Sequence, residues 1–307
     1  MKKIMSIVVA FFMSVALHAA GDMHLFDVEN GNGAITPQTI EAALQNNGFK
    51  TGIRSEMTTP FKKQFGKSDF KVFTLLTVIQ PKLDNKLVQQ FPHAGIFIPM
   101  GVGIYQRNDE KTLHVSILTS DAEAKIIGIA NNSMLKDREQ LAIKAIKEAM
   151  PNAKQSLSED SLKESRELVT LYELKLDGGD FKDAKSQLEM SLEGGFVPRG
   201  FVMAASMDYD ADIFQDDDKA NQFDFYETYS ICKLPVIYTV AKSRPEAAAF
   251  APCTTIVYKK KNENKIVIGF PAVYNWLSSA KVEDKEAKES LLNAQDEFEA
   301  ILKEATE

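Results

Sequence analysis

The chain has few of the side chains from which catalytic and metal sites are usually recognised. It contains two cysteines, one tryptophan and four histidines in 307 residues, and no spacing among them resembles a zinc site. It also lacks a serine–histidine or cysteine–histidine motif and a nucleophile elbow. Carboxylate pairs that meet only in space leave no such signature. The sequence therefore favours a protein without catalysis, metal or cofactor, and leaves an enzyme open.

An excess of positive charge is also missing. The net charge is −7, and residues 1–20 contain two lysines and no acid, so the remainder carries −9. Phosphate backbones and anionic lipid headgroups repel an acidic surface. We therefore expect neither nucleic-acid binding nor peripheral membrane binding.

The only long apolar run lies at the N-terminus. Lys2 and Lys3 precede Ile4 to Leu17, and the small residues Ala19 and Ala20 follow. This run is shorter than the roughly 20 residues of a membrane-spanning helix, and its flanks are typical of a secretory signal peptide. We expect cleavage near Ala19 or Ala20, a periplasmic or secreted mature protein, and no integral membrane segment after processing.

The most informative feature present is an internal repeat. At an offset of 153 residues the two halves align without a gap over the pattern P-x-A-x-x-F-x-P, and a tyrosine follows in each half. Two prolines seven residues apart fix φ twice and remove two amide donors, so they restrict the chain more than matched apolar residues do. The matched residues are Pro92, Ala94, Phe97, Pro99 and Tyr105 in the first copy, and Pro245, Ala247, Phe250, Pro252 and Tyr258 in the second.

Hydrophobic periodicity predicts the order β-α-β-β-α-β-β-α for each copy. In the first copy a helix over Thr39–Asn47 runs into Gly48-Phe49. In the second, a helix over Lys182–Glu193 runs into Gly195-Phe196. These helices align at a different offset from the proline-framed blocks. An insertion or deletion of about six residues therefore lies between helix and block, and we expect it in a loop.

The repeat and the composition of the segments between its copies also predict domain boundaries. A helix closes each copy, over residues 136–150 and 285–303, and the charged segment between copies is interpreted as a partly helical linker. The predicted organisation is a signal peptide at 1–20, a first domain at 21–151, a linker at 152–167 and a second domain at 168–307.

The proline-framed block, its second copy and the preceding helix with its Gly-Phe exit resemble DUF302, a domain of unknown function. The resemblance covers most of residues 24–120 and 168–275. It implies an α+β fold of two homologous domains, each an antiparallel sheet with helices packed on it, and a tendency to pair. It implies no activity and no catalytic residues. We therefore expect either a monomer whose domain pair imitates a dimer or a homodimer, with the groove between copies as the place for a ligand.

Both cysteines, Cys232 and Cys253, lie in the second copy, where the first copy has Ile79 and Met100. An even pair in an exported protein favours a disulfide. Two reduced thiols acting as small apolar side chains are the second interpretation, and a redox-active or soft-metal pair is the third. The function classes follow from these alternatives: a non-catalytic binding or interaction module, or a redox or sulfur and soft-metal-handling protein.

Two further features distinguish the second copy. Its acidic loop, Asp208–Asp212 followed by Asp216–Asp218, lacks the glycine and glutamate of a calcium loop and is interpreted as a solvated insertion, with weak calcium binding as the alternative. Its aromatic residues belong to a core or, alternatively, line a pocket. We expect any specialised site in this copy. The pocket candidates are Tyr229, Phe250, Tyr258, Tyr274 and Trp276.

Overall fold

A computed structural model describes residues 21–129, 132–163, 168–178, 180–213, 221–251 and 253–307. The predicted signal peptide, Pro252 and the acidic residues 216–218 lie outside these ranges. Within them, no helix combines the length and the apolar composition needed to cross a bilayer.

The first copy begins with a helix whose start is encoded locally. Thr36 caps it through Thr39, and Pro37 supplies the fixed φ favoured in a first helical turn. The elements of this copy are β1 (Met23–Glu29), α1 (Pro37–Asn46), β2 (Lys50–Glu56), α2 (Thr58–Phe65), β3 (Phe70–Ile79), α3 (Pro81–Gln90), the 3-10 helix η1 (Pro92–Phe97), β4 (Met100–Arg107), β5 (Thr112–Leu118), α4 (Ser120–Ile127), α5 (Ser133–Ala149) and β6 (Lys154–Leu157).

The second copy repeats this order. Asp180 and Asp284 cap its two longest helices, and proline again opens the 3-10 helix. Its elements are β7 (Val169–Lys175), α6 (Phe181–Phe196), β8 (Val202–Asp208), α7 (Tyr209–Asp212), β9 (Phe223–Cys232), α8 (Leu234–Ser243), the 3-10 helix η2 (Pro245–Phe250), β10 (Cys253–Lys260), β11 (Lys265–Pro271), α9 (Tyr274–Ser279) and α10 (Lys285–Thr306).

Each copy forms an antiparallel sheet, and the two sheets have the same strand order. The first is β2-β3-β4-β5-β1-β6, and the second is β8-β9-β10-β11-β7 when read in the same direction. The predicted α+β fold of two homologous antiparallel sheets is therefore confirmed. The additional strand β6 lies in the predicted linker and pairs with β1, so the described part of that segment contains a strand and no helix.

The structure matches the Gly-Phe pairs that follow the first helix of each copy differently from the sequence alignment. Gly48 and Gly200 both have positive φ, 85° and 74°, and each precedes the phenylalanine that leads into the edge strand. Gly195 lies inside α6 instead, so its match to Gly48 is wrong. The indel also lies elsewhere than predicted, since α6 has 16 residues against 10 in α1. The extra residues lengthen a helix rather than a loop.

One face of each sheet is covered by helices of its own domain. In the first domain, Ile40 and Leu44 of α1 and Ile146 of α5 pack on Leu76 and Ile104 of the sheet. In the second, α6 and α10 cover the corresponding face. The central strands β3, β4 and β10 are buried along most of their length rather than at alternate residues, so their other face is covered as well.

The other face of each sheet is covered by the other domain. Helix η2 packs on β4 and β5, and η1 packs on β10 and β11. The contacts are therefore reciprocal, and equivalent elements carry both halves of the interface. One apolar core cluster runs through residues of both domains.

Glycines on one side of this interface leave room for larger groups on the other side. Gly101 and Gly103 of β4 leave room for the backbone and side chains of η2, because a Cβ at Gly103 would lie 2.6 Å from the Ala248 Cβ. On the opposite side, Gly95 of η1 leaves room for the Tyr226 hydroxyl. That hydroxyl donates a hydrogen bond of 2.5 Å to the Pro92 carbonyl.

Candidate functional site

The two cysteines lie where antiparallel strands β9 and β10 meet. Cys253 pairs with Ile231, the residue before Cys232, so the register sets the thiols one position apart. Because alternate residues of a strand point to opposite faces, this offset does not align the two Cβ atoms for a disulfide. Both cysteines are free thiols in the structure.

Both thiols nevertheless line one cavity of about 40 Å³ between the second sheet and its helices. Burial raises the pKa of Cys232 to about 11. Burial, followed by the neighbouring Cys232, raises the pKa of Cys253 to about 12. The thiols are therefore protonated at neutral pH, and they resemble the predicted small apolar residues. The other lining residues are Phe201, Ile231, Lys233, Val236, Ile237, Ala251, Phe270, Val273, Trp276, Leu291, Ala294 and Phe298.

The equivalent place in the first domain holds a buried charge network. Arg138 of α5 donates to Asp84 of α3 at 2.9 Å and to Glu123 of α4 at 2.6 Å. It also donates to the Phe97 carbonyl of η1 at 3.2 Å. All three charged side chains are at most 4% exposed. The network therefore ties three helices to the 3-10 helix that docks on the second domain.

Burial controls the ionisation of these carboxyl groups. It raises the pKa of Glu123 to about 7, against the opposing attraction of Arg138. It also raises the pKa of Asp84, which accepts from the Gln80 amide as well as from Arg138. One guanidinium shared by two buried carboxyl groups cannot fully offset their desolvation.

A second pocket, of about 150 Å³, lies between the domains. Thr77 of β3 and Ser230 of β9 both line it, and these residues are equivalent at the offset of 153. Thr51, Ser206 and Asp212 add further polar groups. This pocket lies in the groove between copies, and five of its eleven lining residues carry hydroxyl groups.

Comparison with known proteins identifies the family of both repeats. The family model described as "Domain of unknown function DUF302" matches residues 30–153 and again 172–305. The chain belongs to the DUF302 family. One similar solved structure is the uncharacterised conserved protein DUF302 from Bacillus stearothermophilus, which is 18% identical with a TM-score of 0.33. The alignment covers 44% of this chain and 97% of that one. None of the curated proteins matches this chain.

The repeat motif builds the contact between the two DUF302 domains. Its prolines Pro92 and Pro245 open η1 and η2, and the alanines and phenylalanines after them are buried. Tyr105 stacks on His114 at 4.8 Å between ring centroids, and its equivalent Tyr258 stacks on Tyr226 at 5.2 Å.

The predicted aromatic set is divided among several places in the second DUF302 domain. Phe250 and Trp276 stack at 5.7 Å, and only Trp276 of the five lines the cysteine cavity. The Tyr229 hydroxyl lies within hydrogen-bond distance of the carboxylates of Glu189 in α6 and Glu227 in β9, whereas Tyr258 lies on the opposite face at the domain interface. Tyr274 lines a separate surface cleft. The five side chains therefore do not share one pocket.

The acidic loop has a structural role at the interface of the DUF302 domains. Tyr209, between Asp208 and Asp210, is fully buried and donates a hydrogen bond of 2.8 Å to the Ile98 carbonyl of the first domain. Its burial raises its pKa well above the ordinary value. The flanking Asp208, Asp210 and Asp212 are exposed, as predicted for a solvated insertion. Among the described residues, no group of three or more histidine, cysteine or acidic side chains is arranged to hold a metal ion.

The charge network at Arg138 was not predicted from the sequence. The signal that identifies it is the repeat itself. At the offset of 153, Asp84, Glu123 and Arg138 align with Ile237, Trp276 and Leu291. Three charged residues facing three apolar ones at equivalent positions indicate that the two domains differ in chemistry at this point.

Proposed function

We propose that the protein is an exported, non-catalytic binding module whose two DUF302 domains hold a small polar molecule between them. The supporting observation is the pocket between the domains, to which Thr77 and Ser230 contribute from equivalent strands. Hydroxyl groups donate and accept hydrogen bonds, and the Asp212 carboxylate accepts them. These groups fit a ligand with several hydroxyl groups or an amine.

Reciprocal docking supports the same proposal. Because each 3-10 helix packs on the other domain's sheet, the pocket is framed by two surfaces that hold each other in place. A preorganised pocket loses less free energy on binding than one that must first be ordered. One chain thus supplies a pair of domains of the kind that two single-domain chains would form.

Binding is tested with the chain purified from its own exported fraction. Native mass spectrometry and elemental analysis identify bound molecules, and a thermal-shift panel of polyols, amino sugars and amino acids tests polar ligands directly. The double variant Thr77→Val with Ser230→Ala should weaken binding at least about tenfold, the value expected for lost hydrogen bonds in a desolvated pocket. Ser116→Ala removes a buried hydroxyl outside this pocket and serves as the matched control. Full affinity in the double variant would exclude this pocket.

Export is a separate part of the proposal. The residues that support it are Lys2, Lys3 and the apolar run before Ala19 and Ala20. Expression of the complete chain should yield a protein in the periplasmic fraction that begins at residue 20 or 21. An intact N-terminus in the cytoplasmic fraction contradicts it.

A redox or soft-metal role for Cys232 and Cys253 is the second candidate. It is favoured by one observation, that both thiols line the same cavity. The raised pKa values oppose it, because thiolates are the reactive and metal-binding form. Replacing both cysteines by serine separates the candidates: a binding module keeps its ligand with reduced stability, whereas a redox protein loses its function. Thiol counting in the unfolded, unreduced protein gives two free thiols for the structure described and none for a disulfide.

A further inference from the structure

The first domain contains an ion pair whose cation has no equivalent in the second domain. The Arg54 guanidinium of β2 pairs with the Glu41 carboxylate of α1. The Thr51 hydroxyl of β2 also donates to Glu41, at 2.8 Å. This carboxylate therefore has a guanidinium and a hydroxyl group as partners.

The strand register places Ser206 of β8 at the position of Arg54. Arg54 lies opposite Leu76 of β3, and Ser206 lies opposite Tyr229 of β9. Leu76 and Tyr229 are equivalent at the offset of 153 residues. The second domain therefore has a serine where the first has its guanidinium.

The second domain keeps the carboxylate without either partner. Glu193 of α6 corresponds to Glu41, because each lies seven residues before the glycine of positive φ that follows its helix. The strand register also places Met203 at the position of Thr51. Among the described residues, the Glu193 side chain has no hydrogen-bond or ion-pair partner.

A pocket of about 300 Å³ lies at the place of the missing arginine, between α6 and the strands β8 and β9. Glu193, Met203 and Ser206 all line it. Its volume is twice the ~150 Å³ that holds a benzene ring, so a ligand with several heavy atoms fits.

The pocket has an excess of negative charge. Glu189, Glu193, Asp208 and Glu227 line it. Lys185 pairs with Glu189 at 2.6 Å and with Glu227 at 2.9 Å, so four carboxylates and one ammonium leave a net charge of −3. No three of the acidic side chains in the described part of the chain converge to hold a metal ion. The arrangement therefore suits an extended organic cation better than a metal ion.

We propose that this pocket binds a small alkylguanidinium compound. Its guanidinium group occupies the position that Arg54 has in the first domain and donates to Glu193. A planar guanidinium matches a carboxylate with two parallel hydrogen bonds, which an ammonium group cannot do. The alkyl chain contacts the apolar lining residues Leu192 and Met203.

The test compares n-butylguanidinium with n-butylurea, which has the same heavy-atom skeleton and no charge. Isothermal titration calorimetry of the full chain at low ionic strength should show saturable binding of one n-butylguanidinium. Its affinity should be at least about tenfold higher than that of n-butylurea, because hydrogen bonds to charged groups are the stronger ones. n-Butylamine, which has the charge without the planar group, should also bind more weakly.

Variants of the lining residues test the location. Glu193→Gln removes the unpaired carboxylate and should weaken binding of n-butylguanidinium at least about tenfold. Ser206→Arg supplies the first-copy guanidinium within the chain and should abolish binding. Glu283→Gln removes one negative charge from an exposed residue outside the pocket, and this matched control should keep full affinity.

This site is distinct from the pocket between the domains. The two adjoin at Ser206 and Met207, but Thr77 and Ser230 line only the pocket between the domains. The double variant Thr77→Val with Ser230→Ala should therefore bind n-butylguanidinium with full affinity. Glu193→Gln should likewise leave the binding of polar ligands between the domains unchanged.

Three results would overturn the proposal. The first is the absence of saturable binding of n-butylguanidinium to the unmodified chain. The second is an equal affinity for n-butylurea or n-butylamine, which would exclude recognition of the guanidinium group. The third is an unchanged affinity in Glu193→Gln, a substitution at an exposed side chain whose folding circular dichroism verifies.

Discussion

The Arg138 guanidinium is shared by two buried carboxyl groups, those of Asp84 and Glu123. Removing one member of such a network leaves the others desolvated and unpaired, whereas removing all of them together leaves an apolar core. The second domain has the apolar version at the same three positions. The free energies of unfolding with the charged and with the apolar arrangement can therefore be compared within one chain.

Replacing Arg138 by leucine, the second-copy residue at this position, should lower the free energy of unfolding by about 3–5 kcal/mol, because Asp84 and Glu123 stay buried without a cation. Urea unfolding measures the change. The triple variant Asp84→Ile, Glu123→Met and Arg138→Leu is the control, and it should be more stable than Arg138→Leu alone. A triple variant that is less stable than the single one would show that the network stabilises the domain by more than charge compensation.

Glu123 should also make stability depend on pH. Its pKa is raised from 4.5 to about 7, so the folded state holds a proton that the unfolded state has already lost between these values. The stability it contributes is present below pH 4.5 and is lost as the pH rises through about 7.

The measurement is urea unfolding of the native chain and Glu123→Gln from pH 4.5 to 7.5. Relative to the variant, which stays neutral, the native chain should lose stability as the pH rises. The difference between the two removes the contributions of the carboxyl groups whose pKa is lowered, such as Glu139 and Glu56. Parallel curves would contradict a raised pKa at this residue.

Among the elements, the two 3-10 helices are equivalent in position and unequal in detail. Helix η1 has Gly95 where η2 has Ala248, and the strands they contact differ in the opposite sense, with Gly103 in β4 and Ile256 in β10. A small residue on one side thus meets a larger one on the other in both halves of the interface. The two contacts are similarly filled by different residues.

Gly95→Ala should therefore destabilise the protein by about 1–3 kcal/mol through overpacking. Its Cβ would lie 1.9 Å from the Tyr226 hydroxyl oxygen and 2.9 Å from Ile256 Cγ2. In a double-mutant cycle, Tyr226→Phe should recover part of the loss. Gly194→Ala is the control, because nothing lies within 4 Å of its added Cβ and alanine favours the helix there by up to about 1 kcal/mol. If the effects of Gly95→Ala and Tyr226→Phe on the free energy of unfolding are additive, the added Cβ does not contact the Tyr226 hydroxyl.

The order of elements was predictable because its determinants are local. Polar turns separate the apolar strands β4 from β5 and β10 from β11, whereas the 3-10 helices η1 and η2 at the proline-framed blocks were not predicted. The exit of the second helix was not predictable, because Gly195 and Gly200 both precede phenylalanine. The reason for glycine at position 195 is tertiary: an added Cβ would lie 2.7 Å from Ile301 of α10, so Gly195 allows α6 and α10 to approach closely.

The candidate sites were predictable only in part. The groove between copies and the proximity of Cys232 and Cys253 follow from the repeat and the strand order. The grouping of Tyr229 with Tyr258 failed, because the two side chains face opposite sides of the sheet, and periodicity does not report which face is turned toward a partner domain. The register that separates the thiols depends on pairing between strands, which a single sequence does not specify.

In the whole molecule, one apolar cluster is continuous across the two domains, and a second cluster lies under the helices of the first domain. We expect one cooperative unfolding transition, because neither sheet has its second face covered without the other domain. Differential scanning calorimetry of the full chain should give a calorimetric enthalpy equal to the van't Hoff enthalpy. Arg138→Leu in the first domain and Cys232→Ala in the second should lower the melting temperature of the same transition. Two resolved transitions, each moved by one variant, would contradict this coupling.

The glycine and alanine exchange between η1 and η2 has a consequence for how such a protein changes over evolutionary time. In a dimer of identical chains every substitution at the interface occurs twice, once on each side, so a change that suits one contact is imposed on the other. Joining both copies in one gene removes that constraint. Each half can then acquire mutations separately, and one can keep a charged interior while the other loses it.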